Sequence, residues 1–120
     1  MKVPKDPTGA QRMFRAFSDP TRLRILRLLG AGELCVCALM KVLGVPQAKP
    51  SRHLAYLRKA GLVKARADGL WSYYSLVPPR SPFHRKLLEC LSACFGDVPG
   101  MARDVRRMKA LRKPGGCCPS

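Results

Sequence analysis

Gly44-Val45-Pro46 breaks the chain between two short stretches of helical patterning, and a hairpin signal follows the second of them. Few folds accept that order. The first stretch, roughly Leu34–Leu43, carries apolar residues at helical spacing and ends at Gly44. The second, Gln47–Ala60, places Leu54 and Leu57 inward and is closed by Gly61. Helix, short turn, helix is the helix-turn-helix pattern, with the second helix in the reading position. Leu62–Leu76 then gives two β-prone runs about Asp68-Gly69, a strong hairpin signal. The expected fold is mainly α with a small β-hairpin, a winged helix-turn-helix.

The flanking segments extend this unit. Residues 1–9 hold two prolines and one glycine and read as a loose arm. A first helix is expected over Ala10–Phe17, with Met13, Phe14 and Phe17 on its apolar face. Asp19 can cap a second helix, and Pro20 suits its first position. That helix runs to about Leu29, with Leu23, Ile25 and Leu26 inward and Arg22, Arg24 and Arg27 in water. After Val77–Pro82, another helix is expected over Phe83–Phe95, with Leu87, Leu88 and Leu91 on its apolar side. The winged domain therefore spans residues 10–96. Residues 97–120 make a separate part, a basic helix near Met101–Leu111 and a Gly/Pro-rich tail.

Charge then limits the partner. Lys and Arg number 23 against 7 acidic residues, a net +16. The excess is shared by both halves, with 12 basic and 3 acidic residues in 1–60 and 11 and 4 in 61–120. A globular domain so unbalanced is held near a polyanion, so double-stranded DNA is the expected partner. Every long apolar run is interrupted by Arg or Lys, and Met1–Asp6 lacks an apolar signal core. A cytoplasmic protein with no membrane partner is expected. No acid/base pair, phosphate loop or nucleophile constellation points to an enzyme.

Gln47, Lys49, Ser51 and Arg52 occupy the early turns of the reading helix, the part that meets base edges. Gln can read adenine, Arg can read guanine, and Ser or Lys can hold phosphates. Tyr56 and Arg58 lie further along, within reach of the backbone, and His53 is as compatible with packing as with a base contact. Pro50 is tolerated only in a first turn, which asks the helix to begin near Gln47. On the wing, Lys64 and Arg66 are candidates for the minor groove or phosphates. Trp71, Tyr73 and Tyr74 are expected to pack the hairpin on the helices.

Six cysteines in a cytoplasmic chain point to soft-ion ligands or redox thiols rather than structural disulfides. Cys35 and Cys37 stand out in Glu33-Leu34-Cys35-Val36-Cys37, at the start of the helix that precedes the reading helix. Thiolates bind thiophilic ions. On a helix, residues two apart diverge by about 200°, whereas on an extended stretch they share a face. Chelation by this pair is therefore expected to require the start of the third helix to unwind. Cys90 and Cys94, four apart on an apolar helix, read as core or interface residues. Cys117 and Cys118 are expected to be exposed on the tail, as ligands or redox thiols.

These elements together resemble the arsenic-responsive branch of the ArsR/SmtB family of winged-helix repressors. The resemblance rests on Phe17-Ser18-Asp19-Pro20-Thr21-Arg22-Leu23-Arg24-Ile25-Leu26, on Glu33-Leu34-Cys35-Val36-Cys37, and on Ser51-Arg52-His53-Leu54 with Leu57-Arg58. Ala60-Gly61-Leu62-Val63 and Gly69-Leu70-Trp71 with Tyr74 complete it, in order over about residues 12–95. It implies a homodimer formed by the terminal helices, here near 10–17 and 83–95. It also implies an operator-binding repressor released by As(III) or Sb(III), an inducer ligand rather than a resident cofactor. Two departures stand out. Ala38-Leu39-Met40 follows Cys37 where the arsenic pattern has Asp-Leu-Cys, so either two thiolates suffice or a third comes from elsewhere, with Cys117 or Cys118, from the same or the partner subunit, the first candidate. Pro50 replaces a β-branched residue. His84 stands alone on its helix, without the D-x-H pair of the zinc-sensing branch. Other readings are a repressor for Cd(II) or Pb(II), a sensor of thiol oxidation, or a thiol oxidoreductase or metal carrier.

Overall fold

The computed structural model describes residues 9–44, 48–93 and 101–111. Its elements in chain order are α1 (Ala10–Phe17), α2 (Pro20–Leu29), β1 (Leu34–Cys35), α3 (Val36–Leu43) and α4 (Ala48–Lys59). Then come β2 (Val63–Asp68), β3 (Trp71–Leu76), α5 (Pro82–Ala93) and α6 (Met101–Leu111). Among the described residues, no helix is long and apolar enough to cross a membrane.

Local chemistry sets the boundaries. Asp19 caps α2 by accepting the Arg22 backbone N–H at 3.0 Å, and Pro20 opens the helix. Gly44 ends α3 in the left-handed region, at φ 67. α4 closes with a Schellman motif: the Gly61 N–H donates to the Arg58 carbonyl and the Leu62 N–H to the Leu57 carbonyl. Gly61 takes φ 79 there, which a side chain would resist.

The hairpin forms where the sequence places it, but its turn sits one residue later than Asp68-Gly69. Asp68 pairs with Trp71, leaving Gly69-Leu70 as the two-residue loop. Gly69 has positive φ and Leu70 does not, the arrangement of a type II′ turn. Trp71 and Leu70 are exposed, so Trp71 does not pack the hairpin onto the helices as expected. Tyr73 and Tyr74 are half-buried against the core.

The third helix differs from expectation in its start. Leu34 and Cys35 form a short strand on β3, with Leu34 opposite Tyr74 and Cys35 opposite Tyr73. The sheet order is β1-β3-β2. The helix begins only at Val36. A pairing partner some forty positions away thus decides the backbone of Leu34 and Cys35.

One core joins all of this. Ile25, Leu26 and Leu28 of α2 meet Leu39 and Val42 of α3, Leu54 and Leu57 of α4, and Leu62. Leu91 of α5 and Met108 of α6 complete it. Burying each such side chain contributes about 1.5–3 kcal/mol. Two helix faces read from the sequence need correction. Phe14 is 59% exposed rather than inward, packing edge-on against Phe83 with ring centroids 5.0 Å apart. Arg24 is not simply in water, because it forms a bidentate ion pair with buried Asp104 of α6, at 2.6 and 2.8 Å.

Candidate functional site

Cys35 is at once the last residue of β1 and the N-cap of α3, with extended backbone at φ −79, ψ 158. Cys37 lies in the first helical turn. The strand-to-helix transition at Val36 swings the two side chains onto one side, and their Sγ atoms stand 3.1 Å apart. A disulfide needs about 2.05 Å, so this is contact rather than that bond. Two thiolates sharing one ion with metal–sulfur bonds of about 2.3 Å stand about 3.3–3.8 Å apart, depending on the bond angle. The pair is therefore close to chelating geometry while α3 is intact. The expected conflict between helix and chelation does not arise, because the helix starts after Cys35.

Both cysteines sit at the positive end of α3. Cys35 is buried and Cys37 half-buried. Met40 follows Cys37 by one helical turn and brings a thioether to that face. Among the described residues, no three His, Cys, Asp or Glu side chains gather as a metal cluster. Cys94, Cys117 and Cys118 lie outside the described residues, and Cys90 is half-buried on α5.

The thiol pair is tied to the wing by side chains as well as by β1. Glu33, two residues before Cys35, takes a bidentate ion pair from Arg66 of β2, at 2.6 and 2.8 Å. The same guanidinium stacks over Tyr73, 4.5 Å from the ring centroid. Hydrogen bonding to Arg66, with the charges of Arg66 and Lys64, holds the Glu33 carboxyl below its ordinary pKa. Arg66 is thus exposed, as a wing contact should be, but its charge is already offset by Glu33.

On α4, Ser51 and Arg52 are exposed, while His53 is half-buried with Nδ1 3.9 Å from Asp19 Oδ1. Lys64 is exposed on β2. Gln47 and the side chain of Lys49 lie outside the described residues. Tyr56 is covered by Arg22, whose guanidinium lies 4.2 Å above its ring and also donates to the Arg15 and Ala16 carbonyls. Arg22, Arg52, His53, Tyr56 and Lys59 line one open groove between α2 and α4. Sequence reasoning missed Arg22 and Lys59 there. The available signal was Tyr56, an aromatic on a polar helix face that calls for a planar cover.

A helix-turn-helix backed by a three-stranded wing and edged with cations defines a winged helix-turn-helix DNA-binding protein. Residues 19–65 match the family model described as bacterial regulatory protein, arsR family. The chain is 43% identical over 98 residues to the arsenical resistance operon repressor of Escherichia coli, covering 80% of this chain and 84% of that one. Its fold is similar to that of HlyU from Vibrio cholerae, with TM-score 0.63 and 32% identity, over 74% of this chain and 94% of that one. It is also similar to a homodimeric winged helix-turn-helix DNA-binding domain from Mycobacterium bovis, with TM-score 0.60 and 27% identity, over 77% and 84% of the two chains. The chain belongs to the ArsR family of bacterial regulatory proteins. It is a DNA-binding transcriptional regulator and not an enzyme.

Proposed function

We propose that this regulator is a homodimeric repressor released from its operator when As(III) or Sb(III) binds Cys35 and Cys37. The observation that carries the reading is the 3.1 Å approach of the two sulfurs at the joint between wing and α3. The likeness to an arsenical resistance operon repressor supports it. In the reaction, each thiol replaces one hydroxyl of arsenous acid. An As–S bond forms, an As–O bond breaks, and the thiol proton leaves with the hydroxide as water. Two such steps leave one hydroxyl, which a third thiol can replace. Cys117 and Cys118 are the proposed donors of that thiol. Metalloid bonding draws on Cys35, which also belongs to the wing's sheet, so the wing and α3 shift together and lose their fit to DNA.

The test is arsenite-driven release of a fluorescent operator duplex. Replacing Cys35 and Cys37 by Ser should abolish release while leaving DNA binding intact, and unchanged release would sink the reading. Deleting residues 117–120 should weaken the arsenite response, and an equal response removes the tail from the site. Parallel titrations with Cd(II), Pb(II) and peroxide identify the inducer. Release by one of those at concentrations where arsenite fails reassigns the signal.

A further inference from the structure

We infer that the solvent-facing side of α6 is a second DNA-backbone surface, binding phosphates that flank the half-site met by α4. This rests on the operator-binding reading above.

The helix has two unlike faces. Asp104 and Met108 are buried and Val105 is half-buried, on the side packed against α2 and α3. Arg103, Arg106, Arg107 and Lys109 are all exposed. At 100° per residue these four cations occupy a continuous arc of about 160° opposite the buried side. Asp104 is the only acid in Met101–Leu111, and it is turned inward and paired with Arg24. The outer face therefore carries positive charge alone.

That arrangement is unfavourable without an anion. Arg103 with Arg106, Arg103 with Arg107, and Arg106 with Lys109 stand three or four residues apart, spacings at which like charges oppose helix formation. A basic tail that served only solubility would have no use for a rigid seat. This helix has one. Arg24 clasps Asp104, and Arg107 reaches back to the Val42 carbonyl at 3.3 Å.

Its position points to DNA. α6 packs against α3, with Arg107 on the Val42 carbonyl near the C-terminal end of that helix. In a helix-turn-helix that end leads into the reading helix's N-terminus, which enters the major groove, while the first helix crosses the backbone. A cationic helix seated beside it flanks the duplex on the phosphate side. Backbone phosphates are the matching partner, since the face offers point charges and guanidinium forks but no planar stacking residue.

The experiment compares the full chain with the triple variant R103Q, R106Q, K109Q. Gln keeps good helix propensity, and Arg107 is retained because it touches α3. A duplex selected by the wild type from a random pool is made in two lengths, minimal and extended by one helical turn at each end. Affinity is measured across a salt series. On the extended duplex the variant's salt slope should fall by up to about 2.7 per bound protomer, from roughly 0.9 per lost phosphate contact. On the minimal duplex the two proteins should differ little. Equal slopes and affinities on the extended duplex, with matching thermal melts, would overturn the inference alone. A wild type that selects no duplex brings down the operator reading and this inference with it.

Discussion

Cys35 pairs with Tyr73 across the β1–β3 ladder, so the residue at the N-cap position of α3 is also a residue of the wing's sheet. A displacement of Cys35 therefore acts on two DNA-facing elements at once. Toward the core it moves α3, which packs on α4 through Leu39 and Val42. Toward the wing it moves Tyr73, on which Arg66 lies, and Arg66 is in turn gripped by Glu33. The proposed metalloid site and the proposed wing contact share backbone, so coupling between them would need no long relay.

Glu33 is predicted to hold DNA affinity down. It offsets the charge of Arg66, the exposed wing cation proposed to meet phosphates. Glu33→Gln should bind the operator more tightly and steepen the salt slope by up to about 1, the share of one phosphate contact. Arg66→Gln should do the reverse. Anisotropy titrations across a salt series check both. An Arg66→Gln protein with wild-type slope would remove Arg66 from the interface.

Asp104 should matter to stability more than any other acidic residue described. Its side chain is 2% exposed and that of Arg24 is 22% exposed, so the pair is largely out of water. Removing one partner of a buried pair leaves the other charge uncompensated, at about 3–5 kcal/mol. Because Arg24 keeps some solvent, the lower end, about 3 kcal/mol, is expected for Asp104→Ala. Urea unfolding measures it. A loss under about 1 kcal/mol would mean that the pair behaves as a surface bridge.

Phe14 is predicted to act between protomers rather than within one. It is 59% exposed, yet it is held edge-on against Phe83 where α1 meets α5, the helices proposed to form the dimer. Phe14→Ser should leave the protomer's helix content unchanged and weaken the dimer about tenfold or more, the usual effect of losing a central aromatic contact. Sedimentation velocity over a dilution series gives the answer. An unchanged dissociation constant would place the interface elsewhere.

Much of the fold was legible because its signals are local. Asp19-Pro20 and Gly30 bracket α2, Gly44 ends α3, and the two β-prone runs about Gly69 give the hairpin. What was not legible depends on distant partners. Leu34-Cys35-Val36-Cys37 is apolar throughout, so periodicity cannot separate strand from helix, and only pairing with Tyr73 and Tyr74 decides it. That small shift reverses the geometry of the thiol pair. Arg24 likewise reads as a solvated cation until Asp104, eighty positions away, is seen beside it. The thiol pair was visible in the sequence, while the approach of its sulfurs to 3.1 Å was hidden in topology.

The His84 side chain is wholly buried on α5. Its Nδ1 accepts the Arg80 backbone N–H at 3.2 Å, so in the neutral ring the proton sits on Nε2. Nε2 has no hydrogen-bond partner among the described residues. Burial, followed by the nearby charge of Arg80, lowers its pKa from 6.5. The unfolded chain therefore takes up a proton near pH 6.5 that the folded chain refuses. Stability is full above that pH and declines as pH falls below it, by no more than one proton's linkage. Ordinary carboxylates titrate lower, so in the window from about pH 6.5 to 5 the side chains that change charge are the histidines, and the His84 variant separates its share. His84→Gln should flatten the decline in urea midpoints measured at pH 5.5, 6.5 and 7.5, with His53 left in place. If the variant declines as steeply as the wild type, the acid sensitivity belongs to another group.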